Sequence, residues 1–250
     1  LELFSEQVET LSVKEIAEKL DTRPGTIFPI LSTFEKYGYL EKDKENKKYS
    51  LGLTFLGKGT LVLRKLDIRD RAQPHLKELL IRCNENVHLA ILDNNRKVMY
   101  IDRKEAAPPL MIRSYIGKRV PAHCTALGKV LLAFLEDRNL EHFLKTEKLE
   151  RMTDNTITNP NDLITELEKV RSEGFGIDNE EFQNGGICIA APIRSYEDKV
   201  VAAISVSIPK SRFSDERAEK IAGEVKRAAL NVSRSLGYKE KSSKLQAPTT

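Results

Sequence analysis

The sequence predicts an α+β protein in two parts: an N-terminal winged helix-turn-helix and, past a linker helix, a domain built on a mostly antiparallel sheet. Three observations carry this. Near the start, two stretches with apolar residues at i, i+3, i+4 and i+7 flank a breaker cluster and lead into a polar hairpin. From about residue 70, strand-like runs rich in Val, Ile and Ala are grouped with helical patterns outside them. The chain has 250 residues, 40% hydrophobic and 31% charged, enough for one large or two small packed domains and too apolar for wholesale disorder.

Ser12 and Glu15 form a capping box that opens the first helix, with Val13, Ile16, Ala17 and Leu20 as its apolar face. Residues 21–25 (DTRPG) make the turn. The second helix, 25–37, turns Ile27, Ile30, Leu31 and Phe34 inward, and Gly38 ends it. A start near Gly25 or Thr26 puts Pro29 at the edge of the first turn, where N–H groups have no partner within the helix. Residues 39–51 read as two short strands around a polar tip, the wing. The winged helix-turn-helix therefore spans 1–52 and a linker helix 53–69, with Leu53, Leu56, Leu61, Leu63 and Leu66 packing against a partner chain. Gly52–Gly59 comes close to a phosphate-binding loop, but Gly59 stands where a hydroxyl is required and no buried strand precedes it.

The second domain spans 70–238. It opens with a helix at 71–83, then strands at 87–92, 97–101 and 110–113, and helices near 124–135, 139–145 and 161–173. Strands at 176–178, 187–191 and 200–208 follow, and an amphipathic helix over 215–236 closes it. Residues 239–250 read as a flexible polar tail.

Composition narrows the function. No run approaches the length of a membrane-spanning helix, and no signal peptide is visible; a start at Leu1 rather than Met suggests a trimmed or incomplete N-terminus. Cys83, Cys124 and Cys188 are odd in number and lack CxxC spacing, which fits a reducing cytoplasm. The net charge is only +4, but it is unevenly spread. Residues 1–21 carry two lysines against six carboxylates, and residues 22–66 carry nine Lys/Arg against four. A basic stretch that coincides with a helix-turn-helix and a wing points to double-stranded DNA. Thr26, Phe28, Pro29, Ser32, Thr33 and Lys36 form the outer face of the second helix. Thr26 and Phe28 are set to reach base edges or thymine methyls, and Arg23, Lys47 and Lys48 to grip flanking phosphates.

The segments Leu11–Leu20 (LSVKEIAEKL), Thr26-Ile27, Leu31, Tyr37–Tyr39 and Tyr49–Gly52 resemble the DNA-binding half of IclR-type transcription regulators. Pro29 departs from that pattern, and Gly25–Leu31 (GTIFPIL) is locally more similar to PadR-type recognition helices. Farther on, Gly117–Lys129 (GKRVPAHCTALGK), Arg171–Glu181 (RSEGFGIDNEE), Gly186–Ile193 and Val201–Ser207 resemble the IclR effector domain, in order and in spacing. The resemblance implies a GAF-like effector-binding domain and a dimer or tetramer. It also implies a regulator, expected to be a repressor, that answers to a small organic acid or aromatic metabolite.

The residues support a pocket. Cys124, Thr125, Ala126 and Leu127 stand at a helix start, where free N–H groups favour a carboxylate. Ser205 and Ser207 alternate with Val206, so both hydroxyls share one strand face. By the resemblance, Asp178 and Cys188 line the same pocket. His75, His88 and His142 read as isolated core or surface residues, and Cys83 as a packing residue. Three rival readings stand beside this one: zinc held by His123, Cys124, Asp178 and Cys188, whose spacing is not a zinc motif; a hydrolase built from the same residue types; and a metabolite-binding or scaffolding module whose DNA reading Pro29 has weakened.

Overall fold

A computed structural model describes residues 1–5, 7–64, 67–106 and 114–240, the side chains of 62–64 excepted. The chain divides into two compact units, 1–66 and 67–250.

In the first unit, α1 (Val13–Lys19) follows Ser12, and both halves of the capping box form. Glu15 N–H donates to Ser12 Oγ at 3.2 Å, and Ser12 N–H donates to Glu15 Oε2 at 2.7 Å. Such a cap stabilises a helix by about 1 kcal/mol. After the turn, α2 (Pro24–Lys36) begins earlier than its sequence implies, with Pro24 in its first turn. That corrects the place of Pro29. It lies in the second turn, where it withholds the N–H that would have met the Gly25 carbonyl. The small core joins Leu11, Ile16, Ala17, Ile27, Leu31, Leu40 and Tyr49. Leu20 and Ile30, expected inside, are about half exposed: Leu20 caps α1, and Ile30 sits at the flank of α2.

The wing is β1 (Leu40–Lys42) paired antiparallel with β2 (Tyr49–Leu51), and Leu11 and Tyr49 exchange backbone hydrogen bonds on the far side of β2. Gly52 closes the hairpin against Gly38; a Cβ on Gly52 would lie 2.2 Å from the Gly38 carbonyl oxygen, so only glycine fits. Next, α3 (Thr54–Arg64) places Gly57 and Gly59 inside a helix, which removes the phosphate-loop reading. Leu53, Leu56 and Leu61 are exposed there; Leu63 and Leu66 lie outside the described side chains.

The second unit opens with α4 (Asp67–Cys83), which begins about a turn earlier than expected because Asp67 and Asp70 suit a helix N-terminus. Its sheet comprises β3 (Asn86–Leu92), β4 (Val98–Lys104), β5 (Arg119–Val120), β6 (Gly176–Asn179), β7 (Gly186–Arg194) and β8 (Val200–Pro209). The spatial order is β5-β4-β3-β8-β7-β6, with every pair antiparallel. The strand expected at 110–113 lies outside the described residues; among those described, β5 is the partner on the outer edge of β4.

Helices cover both faces. On one, α4 and α8 (Asp215–Ser235) pack over Leu89, Ile189, Ile204 and Val206. On the other lie α5 (Ala126–Ala133), α6 (Asp137–Thr146) and α7 (Pro160–Glu173), whose core meets Ala90, Tyr100, Ala190 and Ala203. Strand alternation sorts β8 in this way: Ala203, Ser205 and Ser207 face α5, while Ile204, Val206 and Ile208 face α8. One alanine and two serines on the α5 side leave room that larger side chains fill on the other.

Candidate functional site

Every residue of α5 is buried, so its position is set by packing. Gly128 makes that possible: a Cβ there would lie 2.1 Å from the Ala122 carbonyl oxygen. Thr125 is the N-cap, its Oγ1 accepting from the Gly128 N–H at 3.2 Å while donating to the Pro121 carbonyl at 3.0 Å. Lys129 N–H donates to the Thr125 carbonyl. The Ala126 and Leu127 N–H groups are left without an acceptor inside the helix.

A cavity opens at this point. Its wall is formed by Thr125, Ala126 and Leu127 of the helix start, by Asp178, Cys188, Ser205 and Ser207 of the sheet, and by Tyr100, Phe182, Gln183 and Gly186. Strand register explains the polar row. Asp178 pairs with Cys188, Cys188 with Ser207, and Ser207 with Asn86, so four adjacent strands bring these side chains into line. Cys188 Sγ lies 3.1 Å from Ser207 Oγ. His88 Nδ1 lies 3.4 Å from the same hydroxyl, and its Nε2 lies 2.8 Å from Ser114 Oγ. The free volume is about 20 Å³, room for about one water molecule.

The titrating groups are strongly perturbed. Burial, aided by the Glu181 carboxylate, pushes Asp178 up to about 7, against the pull of N–H donors from Glu181 and Phe182 on its Oδ1. Burial and then the Arg103 guanidinium bring His88 down to about 4, so its ring is neutral at pH 7. The Cys188 and Cys124 thiols are pushed up to about 12, again by burial first. Behind the wall, buried Lys129 donates to Glu181 Oε1 at 2.6 Å and to Glu166 Oε1 at 2.8 Å. The first bond ties α5 to the turn between β6 and β7, which supplies Phe182 and Gln183, and the second ties it to α7.

Three expectations need correction. Cys124 is fully buried and is not part of the cavity wall. The four zinc candidates do not converge: His123 Nε2 is 3.0 Å from the Glu150 carbonyl, and no group of three metal-ligand side chains occurs among the described residues. A thiol nucleophile has no support, because burial keeps both candidate thiols protonated at neutral pH. Sequence reasoning also missed Tyr100, Phe182, Gln183, Gly186 and the supporting His88.

The first unit carries the other candidate surface. Arg23, Thr26, Phe28, Pro29, Thr33 and Lys36 all stand exposed, and Ser32 is half-buried. Lys47 is exposed at the wing tip and donates to the Lys44 carbonyl at 2.6 Å. Lys48 Nζ rests 3.7 Å from Glu15 Oε1, an exposed pair of the kind that is worth little. Lys42 Nζ lies 5.6 Å from the centre of the Phe28 ring and 5.3 Å from that of Tyr49, bridging helix and wing. Among the described residues no helix is long and apolar enough to cross a membrane.

Comparison with known proteins gives a consistent picture. The model of the IclR helix-turn-helix domain matches residues 1–44, and that of the bacterial transcriptional regulator IclR C-terminal domain matches residues 60–234. The HTH-type transcriptional regulator XynR of Escherichia coli is 34% identical over 238 residues, covering 95% of this chain and 94% of the relative. The crystal structure of the Thermotoga maritima IclR is 36% identical, with a TM-score of 0.73 and 92% of each chain covered. An IclR homolog from Microbacterium hydrocarbonoxydans, complexed with 4-hydroxybenzoate, is 25% identical, with a TM-score of 0.79 and coverage of 94% of this chain and 95% of that one.

Proposed function

The chain belongs to the IclR family of helix-turn-helix transcription regulators, and from that premise we propose that it is a repressor whose grip on an operator is set by a small organic acid bound between α5 and the sheet. It is a DNA-binding regulator and not an enzyme.

The observation that carries the effector reading is the polar row Asp178–Cys188–Ser207 facing the capped start of α5. Free N–H groups at a helix N-terminus attract a carboxylate, and two serine hydroxyls add donors without adding charge. Asp178, pushed up to about 7, is half protonated at neutral pH. It can accept from a ligand hydroxyl or, protonated, donate to a ligand oxygen. Tyr100 and Phe182 supply aromatic walls. This set suits a hydroxylated or aromatic carboxylic acid, the class to which the relative's 4-hydroxybenzoate belongs. The 20 Å³ cavity must widen to admit it, so binding is coupled to movement of the turn that carries Phe182 and Gln183.

In the same proposal, the exposed Leu56 and Leu61 of α3, with Leu53 just before it, pair two copies into a dimer, or into dimers that assemble as a tetramer, and α2 of each copy enters a major groove of a two-fold-related operator. The DNA half is tested by fluorescence anisotropy of the purified chain with DNA from around its own gene, with non-specific competitor, at two salt concentrations. Saturable binding that survives competition is expected. Weak binding that ignores sequence and vanishes with salt would instead favour the module with decayed DNA reading.

A further inference from the structure

The outward face of α2 has a composition that ordinary base reading does not explain. Opposite the buried Ile27 and Leu31 lie Gly25, Pro29, Ser32, Thr33 and Lys36. Phe28 flanks this face on the side of Lys42, and Thr26 and Ile30 flank it on the other. Phe28 is 49% exposed and Ile30 48%, large apolar side chains held in water on the second helix of the helix-turn-helix.

Direct reading of a base pair normally uses a side chain with two hydrogen-bonding atoms: Arg or Lys on guanine, Asn or Gln on adenine, Asp or Glu on cytosine. From Pro24 to Phe34, α2 has none of these. Its polar side chains there are three hydroxyls, and that of Thr33 is donated to the Pro29 carbonyl at 2.9 Å. The long polar residues stand only at the ends, Arg23 at the N-cap and Glu35 and Lys36 in the last turn. What the centre offers is rigid apolar surface, ringed by the cations Arg23, Lys36 and Lys42. In the major groove one feature answers to such a surface, the C5-methyl group of thymine.

We propose that α2 selects its operator half-site by burying thymine methyl groups against Phe28 and Pro29, with Ile30 at the edge of the contact. Arg23, Lys36 and Lys42 hold the adjoining phosphates. This rests on the reading of α2 as the DNA-entering helix. It gives Phe28 a specificity-determining role and the operator a chemistry: neighbouring thymines in each half-site, with no guanine contact at the helix centre. The cations that rim the apolar face would meet the same cations on a second copy seated face to face, which disfavours that occupant and favours a polyanion.

The test begins with the full chain selecting from a library of random duplexes. The enriched half-site is then synthesised with each thymine in turn replaced by deoxyuridine, which removes only the methyl group. The expected result is a loss of about fourfold in affinity for each buried methyl, at two or more neighbouring positions. Phe28→Ala should bind the thymine duplex more weakly and no longer distinguish it from the deoxyuridine duplex. Phe28 is half exposed, so an unchanged thermal unfolding midpoint is expected to accompany that change. An enriched site whose affinity ignores every thymine-to-deoxyuridine exchange overturns the proposal and leaves the DNA-binding reading intact. A library that yields no enriched sequence overturns both, and the apolar face then belongs to a protein partner.

Discussion

Asp178 shows how one residue links fold and function. It lies on β6 beside Cys188, buried, and burial is the main reason its carboxyl is pushed up to about 7 from an ordinary value near 3.8. The folded chain therefore holds this proton more tightly than the unfolded chain does. Its contribution to stability is fully present below pH 4 and is lost as pH rises through 7, the direction that linkage requires when the native state binds the extra proton. Urea unfolding across pH 4–7 should show stability falling more steeply with pH for the native chain than for Asp178→Asn. Parallel curves for the two would mean that Asp178 titrates as an exposed carboxylate. At this scale the sequence revealed what depends on local period. Ser205 and Ser207 share a face because a strand alternates, and Thr125 announces a helix start. Tyr100 in the wall and His88 behind Ser207 were not legible, since their place depends on which strand lies beside which. Phe182 and Gln183 arrive through the fold of a turn, which has no period to read.

Among the elements, α5 is the most constrained. Its start shares a cavity wall with Ser205 and Ser207, and Gly128 rests against the backbone of Ala122 in the segment that leads into the helix. Gly128→Ala forces a methyl group into a space 2.1 Å from a carbonyl oxygen. It should cost about 1–3 kcal/mol, read as a lower denaturant midpoint, because well-packed cores accept extra volume poorly. An unchanged midpoint would show that the helix can shift freely. The wing makes a prediction of another kind. Replacing Lys47 and Lys48 by Ala should weaken binding to all DNA sequences alike. It should also flatten the dependence of log affinity on log salt by about 0.9 for each phosphate that a lysine no longer neutralises. The Glu15–Lys48 pair is too exposed to withhold Lys48 from a phosphate. A salt slope identical to that of the parent chain would remove the wing from the interface. The element most clearly misread from sequence was α2. Proline is tolerated in a helix's first turn, and two prolines five residues apart competed for that place; Pro24 took it, leaving Pro29 inside the helix.

At the scale of the whole molecule, the chain joins a helix-turn-helix unit, 1–66, to a second unit, 67–250, that carries the match to the IclR C-terminal domain. Most of the second unit was legible: α7, β7, β8 and α8 lie within a residue or a few of where hydrophobic period and turn residues put them. The order of strands was not, because β3 pairs with β8 across more than a hundred residues of chain, and no local pattern encodes that partner. For a regulator, the requirement is that the effector bind one arrangement of the molecule more tightly than the other; without that difference no ligand, however tight, alters the affinity for DNA. The small cavity supplies a ground for such a difference in the proposed scheme, in which a bound acid displaces the turn that Lys129 and Glu181 tie to α5. The most direct measurement of this coupling is the affinity for an enriched operator duplex, by fluorescence anisotropy, with and without small carboxylic acids such as 4-hydroxybenzoate. It is made side by side on the native chain and on Ser205→Ala/Ser207→Ala. The expected result is an acid that changes the operator affinity of the native chain severalfold, while the double variant keeps its basal affinity and loses the response. A variant that responds to the same acid as fully as the native chain would contradict the assignment of this cavity as the sensor.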